Sequence, residues 1–140
     1  MLSSWQDGCI KLYITHKALK TRRSYSELFQ KGEYLPLGAS GGRSRYICAF
    51  LRNYRQDHAL VAVPRFFTKL SEAGVMPIGE RVWKDDCILL PESAFKNWLN
   101  ILTGNTVQTN ADGRALSIAT VFNSLPVALL ISYPKQTCSK

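Results

Sequence analysis

The side chains that could do chemistry are few and scattered. Ten carboxylates are present, enough by number for the acid and nucleophile of a glycosidase-type reaction. Such a pair must flank one bond, with its carboxyl groups roughly 5 Å or more apart, and no motif in the sequence brings two together. Asp85 and Asp86 are neighbours, and neighbours on a strand point to opposite faces. Both read as turn or strand-start residues. His16 and His58 are the two histidines, one on a basic helical segment and one beside a turn. Neither is accompanied by a His-x-x-x-His pair, a Gly-x-Ser-x-Gly elbow or a phosphate-binding glycine loop. Cys9, Cys48, Cys87 and Cys138 lie too far apart for a Cys-x-x-Cys motif or a zinc-ribbon spacing. The expectation is therefore no catalytic residue, no metal site and no cofactor. Cys48, inside an apolar strand pattern, reads as a small buried hydrophobe.

Aromatic residues offer a second kind of site. Trp5, Trp83 and Trp98 could stack on sugar rings, because an aromatic face gives a large contact area and orders few torsions. Trp83 and Trp98 are the candidate carbohydrate-binding residues. Against this, Trp98 is followed by Leu99, Ile101 and Leu102, a context that favours packing in a core.

Charge suggests a third possibility. The net charge is +8 and the pI near 9.5, which raises nucleic acid as a partner. The cations are spread, however. Lys17, Lys20, Arg22 and Arg23 fall on the first helical segment, and Arg43, Arg45, Arg52 and Arg55 surround one strand pair. No run of five occurs and no RNA-binding signature accompanies them. A solvated face, or a surface meeting an acidic neighbouring domain, accounts for this pattern better. No apolar run approaches the roughly 20 residues that span a bilayer, and the amino terminus lacks a signal-peptide pattern. These features point to a cytoplasmic protein with reduced thiols and no membrane partner.

The elements that must position these residues come in two textures. Residues 8–23 read as a helix, with Asp7 a possible N-cap and Ile10, Tyr13, Ile14 and Ala18 at helical spacing. Ser24-Tyr25-Ser26-Glu27 fits a capping box for a short second helix, which Gly32 would end in a left-handed conformation. From Glu33 the texture changes to strands. Glu33–Leu37 contains Pro36 and so belongs at an edge. Ser40–Ser44 reads as a flexible turn. Tyr46–Leu51 and Ala59–Val63 form a hairpin with both faces apolar. Phe66 to Gly79 is hard to assign, although Phe66, Phe67 and Leu70 have near-helical spacing. Further strands follow at Cys87–Leu90, Asn97–Leu102, Thr106–Gln108, Ala115–Ile118 and Val127–Ile131, with a turn at Gly104-Asn105. The fold class is mainly β: an amino-terminal helix, or two, followed by an antiparallel β-sandwich of about seven short strands. A helical segment over 1–32 and a β domain over 33–140 are the expected divisions.

Several blocks carry a resemblance. They are the segment from Trp5 to Thr15; Arg22-Arg23 with Ser24 to Phe29; Gly32 to Leu37; Ala59 to Arg65; Trp98 with Leu102-Thr103-Gly104; and Leu125 to Leu130. In this order they resemble the carboxy-terminal region of maltooligosyltrehalose synthase, of the alpha-amylase superfamily, over nearly the whole chain. Cys9 departs from the family, where arginine is expected. The resemblance implies a parent isomerase of carbohydrate metabolism, which turns the reducing-end α-1,4 linkage of a maltooligosaccharide into an α,α-1,1 linkage for trehalose biosynthesis. It implies that the catalytic carboxylates lie on a (β/α)8 barrel ahead of this region. The chain would then be the last barrel helix plus the terminal β domain, inactive alone, with the barrel as its partner.

The first helix sharpens this expectation. At about 100° per residue, Ile10, Ile14, Ala18 and Thr21 gather on one side, flanked by Tyr13, while Leu12 and Leu19 fall nearly opposite. An ordinary surface helix has one apolar stripe. Two stripes imply a helix wedged between layers, one facing the barrel of the parent and one the β domain. Without the barrel, the bare stripe predicts self-association through this helix. Three function classes follow: a structural domain of such an enzyme, a carbohydrate-binding module using exposed tryptophans, and a basic nucleic-acid binder.

Overall fold

A computed structural model describes residues 8–91 and 96–133; Trp5, Asp7 and Cys138 lie outside the described residues. The helical periodicity near the amino terminus becomes α1, Cys9–Ser24. Ile10 and Thr21 are buried, and Ile14 and Ala18 pack beside them. The single residue Tyr25 separates α1 from α2, Ser26–Lys31. The expected capping box does not form. An N-cap residue must leave helical geometry, but Ser24 is still inside α1. The cap of α2 is Tyr25, which makes no side-chain capping bond. Glu27 instead pairs with Lys31 at 3.2 Å on the surface. Gly32 is also corrected: it is extended, at φ −65° and ψ 149°. It is needed there for room, because a Cβ would run into the Leu28 carbonyl oxygen that accepts the Gly32 N–H.

The rest of the described chain is mainly β, in two antiparallel sheets. The larger sheet contains β1 (Glu33–Leu37), β3 (Ile47–Tyr54), β4 (Asp57–Pro64), β6 (Asn97–Asn100), β7 (Thr106–Gln108) and β9 (Ala128–Tyr133), in the order β1-β3-β4-β9-β6-β7. Pro36 sits on the edge strand, where a missing N–H costs no ladder bond. The smaller sheet orders β2 (Ala39–Ser40), β5 (Cys87–Leu89) and β8 (Ala115–Ser117) as β2-β5-β8. Nine strands thus form among the described residues where about seven were expected. The β3–β4 hairpin is longer and tighter than its sequence suggested. Tyr54 pairs with Asp57 across a two-residue turn that begins with Arg55 at φ 54°. Strand β6 stops at Asn100, and the turn begins directly after it.

The two sheets share one core. Leu51, Leu60, Leu130 and Trp98 of the larger sheet meet Ile88 and Leu116 of the smaller. Two one-turn helices, α4 (Glu80–Trp83) and α5 (Ile118–Val121), add Val82, Trp83, Ile118 and Val121 to it. Another one-turn helix, α3 (Phe67–Leu70), occupies the stretch that was hard to assign. The other face of the larger sheet is covered by α1 and α2. Ile10 packs with Leu102, Leu125 and Leu129, and Leu28 packs with Ala59 and Ile131. This cover is partial. Cys48, expected to be buried, is exposed, because alternation turns it away from the core that Ile47 and Ala49 enter.

Candidate functional site

The candidate sugar-binding tryptophans do not form a surface. Trp83 and Trp98 are both 0% exposed, so neither presents a ring face to a ligand. Trp83 packs against Phe122 with centroids 5.5 Å apart, and its indole N–H donates to the Pro77 carbonyl at 2.8 Å. Trp98 belongs to the same core, and its buried Nε1 has no hydrogen-bond partner among the described residues. Both rings fill the space between the sheets.

One carboxylate, Asp86, has a clear structural role. Asp85 lies in the turn after α4 and is exposed, whereas Asp86, next to it, is buried. The Arg43 N–H donates to Asp86 Oδ2 at 2.7 Å, so this carboxylate pins the turn between β2 and β3. Sequence alone gave no signal for that bond, whose partners lie 43 residues apart. The Cys87 thiol is pushed up, first by burial and then by the charges of Asp86 and Asp85. His58 Nδ1 lies 2.6 Å from Asn53 Oδ1. Burial lowers His58 below its ordinary range, outweighing the opposing charge of Asp57. Among the described residues, no group of three or more His, Cys, Asp or Glu side chains is arranged to hold a metal.

Two accessible features lie around α1, α2 and β1. Helix α1 buries Ile10 and holds Tyr13 by a 2.8 Å hydrogen bond from its hydroxyl to the Leu102 carbonyl. Its other side exposes Leu12 (73%) and Leu19 (59%). The helix therefore has the two apolar stripes its periodicity suggested, one of them uncovered by the described residues. Leu19 borders an open groove of about 920 Å3 at the α1–α2 elbow, lined also by His16, Lys20, Arg22, Arg23 and Gln30. No acidic residue occurs in α1, so this surface is apolar and basic. A second exposed feature was not singled out from sequence. Tyr34 on β1 and Phe50 on β3 form a tilted ring pair, with centroids 4.9 Å apart and planes at 34°. Strand alternation places both rings, with Pro36 and Cys48, on the face away from the inter-sheet core. No helix among the described residues is long and apolar enough to cross a membrane.

No family model matches the chain. It is 32% identical over 121 residues to the protein named "Putative maltooligosyl trehalose synthase" of Mycobacterium tuberculosis strain CDC 1551 / Oshkosh. It is equally similar to the protein of that name from strain ATCC 25618 / H37Rv. Each match covers 86% of this chain but 13% of the relative. Over most of its length, the chain is thus a homologue of one region of a maltooligosyl trehalose synthase, consistent with that protein's carboxy-terminal region.

Proposed function

We propose that the chain is the carboxy-terminal, non-catalytic part of a maltooligosyltrehalose synthase-like isomerase, and that it completes and stabilises the catalytic barrel of that cytoplasmic enzyme. The observation that carries this reading is the half-covered helix. Leu12 and Leu19 stand exposed on a helix whose other side is packed into the domain. Burying two leucines on association would contribute about 1.5–3 kcal/mol each, a sizeable share of the stability of a typical domain. The basic residues around them favour a partner surface with apolar hollows and an acidic rim. The small share of each relative that the chain matches supplies a candidate partner, namely the remainder of such a protein. In this reading residues 1–32 join the barrel and 33–140 form the terminal domain. The parent acts on maltooligosaccharides, and no residue of this chain takes part in bond making or breaking.

The test removes the matched region from the mycobacterial relative and supplies it again as a separate polypeptide, with this chain in parallel. Activity is followed as loss of reducing ends from maltopentaose. The truncated enzyme should lose activity and melt at a lower temperature, the matching region added in trans should restore both, and this chain alone should be inactive. A truncated enzyme with undiminished activity and melting temperature would refute the stabilising role. Turnover by this chain alone, abolished by replacing one of its carboxylates, would refute the non-catalytic one.

A further inference from the structure

We infer that exposed Tyr34, backed by the half-buried Phe50, is a sugar-binding platform that holds a maltooligosaccharide chain away from the reacting bond. The inference rests on the function proposed above for the choice of sugar, and on separate observations for the site. Tyr34 is 53% exposed on an edge strand, where an extended ligand can approach without displacing a neighbouring strand. Phe50 lies diagonally across the pairing from it, since Tyr34 faces Arg52 and Pro36 faces Phe50 in the register. Rings 4.9 Å apart and inclined at 34° overlap as a tilted stack, so Phe50 backs the Tyr34 ring and the exposed side of Tyr34 is the face offered to a sugar. Pro36 and Cys48, also exposed, extend it along the sheet. The axial C–H face of a glucose unit is apolar while its rim carries hydroxyls, so it needs an aromatic face with polar groups beside it.

Arg52 supplies that polar neighbour. It stands directly across from Tyr34, and its Nη2 is fixed at 2.8 Å on the Phe29 carbonyl. A guanidinium has five N–H donors; the Arg52 Nε–H is buried without a partner, so the Nη hydrogens not held by Phe29 are those left for ligand hydroxyls. The anchor also holds the group in place before a ligand arrives, which lowers the ordering cost of binding. The size of the patch favours a small ligand over a protein. Its side chains expose on the order of a few hundred Å2, a patch size common on monomers and well short of the roughly 800 Å2 per partner of a stable protein interface. The buried tryptophans fill the space between the sheets, whereas Tyr34 is an accessible ring on the opposite face of the larger sheet.

The 140-residue chain with maltoheptaose as probe provides the test. Saturation transferred from protein aromatic protons to the sugar is read by NMR, and the affinity is taken from a titration. Binding should be weak, on the order of millimolar, as suits one or two stacking contacts. Tyr34→Ala should weaken it about tenfold or more. Phe66→Ala, at another exposed aromatic, should leave it unchanged. Arg52→Lys keeps the charge and loses the planar fork, and should weaken binding while the fold is retained. No transfer to maltoheptaose, or transfer indifferent to Tyr34→Ala, overturns the platform. So does a finding that Tyr34→Ala alters the association state of the chain rather than its sugar binding, which would make the patch a protein contact. A chain that restores the truncated enzyme but binds no sugar disproves the platform and leaves the domain role standing. The reverse result, with sugar bound and no restoration, separates the two the other way.

Discussion

The two faces of the larger sheet differ in how fully they are closed. The inner face, against the smaller sheet, is sealed by Trp83, Trp98, Phe122 and aliphatic residues with almost no exposure. The outer face is covered by two helices at one end and left open at the other, and one of those helices carries leucines on its far side. A domain that had only to fold would gain by hiding Leu12, Leu19 and Tyr34 or replacing them with polar residues. The difference assigns the two faces separate tasks. The inner face makes the domain, and the outer face meets whatever the domain serves.

Substitutions on each face separate their tasks most directly. Trp98→Ala should destabilise the chain by about 3–5 kcal/mol, the range for emptying a buried aromatic site. Tyr34→Ala should cost less, about 0.5–1.5 kcal/mol for the exposed ring pair it makes with Phe50. Urea unfolding midpoints measure both. If the two variants unfolded at similar urea concentrations, the inner face would not be the main source of stability.

The helix allows a finer cut, because both situations occur on one element. Ile10→Ser/Ile14→Ser removes its packing on the domain and should cost roughly 2–4 kcal/mol. Leu12→Ser/Leu19→Ser should leave stability nearly unchanged and alter association instead. The isolated wild-type chain should self-associate as its concentration rises, and the leucine variant should sediment as a folded monomer. A wild type that stays monomeric at high concentration and binds no hydrophobic dye rules out a stripe in search of cover.

How much of this was legible follows from the length of each element. The two stripes of α1 could be read because 16 residues contain several turns. The long strands could be read from their apolar, β-branched and aromatic runs and the edge strand from Pro36. Gly104 was identified as a turn residue and has φ 78°. Strand β2 has two residues and α4 and α5 four each, too few to display a period. Cys48 was misplaced for a different reason. An apolar run shows that residues tolerate burial, not that both faces have partners, and its outward face is covered only in part. The tryptophans show the same ambiguity, since one side chain suits a core or a sugar and only burial decides. Tyr34 and Phe50 were invisible as a pair because strand pairing, not sequence proximity, brings them together. Asp86 is the opposite case: its partner Arg43 could not be guessed, and its burial beside exposed Asp85 arises in the turn ahead of β5, not from strand alternation.

The smallest expected effect concerns the rim of the inner face. His58 pairs with Asn53 two residues beyond the Leu51–Leu60 pair, on the same side of the sheet as that buried pair. Burial holds its folded-state value below the ordinary 6.5. The unfolded chain therefore takes up a proton near pH 6.5 while the folded chain still resists it. In that window the unfolded state binds more protons, so stability rises with pH and falls as the solution is acidified. The loss should begin as pH drops through about 6.5 and level off once it passes the folded value. It should be modest, because the imidazole is only partly removed from water. Urea midpoints at a series of pH values, kept above the carboxylate range, measure the loss. His58→Gln, which has no proton to gain, should flatten the curve, with His16→Gln on the outer helix as the companion variant. A curve unchanged by His58→Gln, or one flattened by His16→Gln instead, would move the proton-sensitive step off the inner rim. Acid would then loosen the outer layer first, the reverse of what the burial of His58 implies.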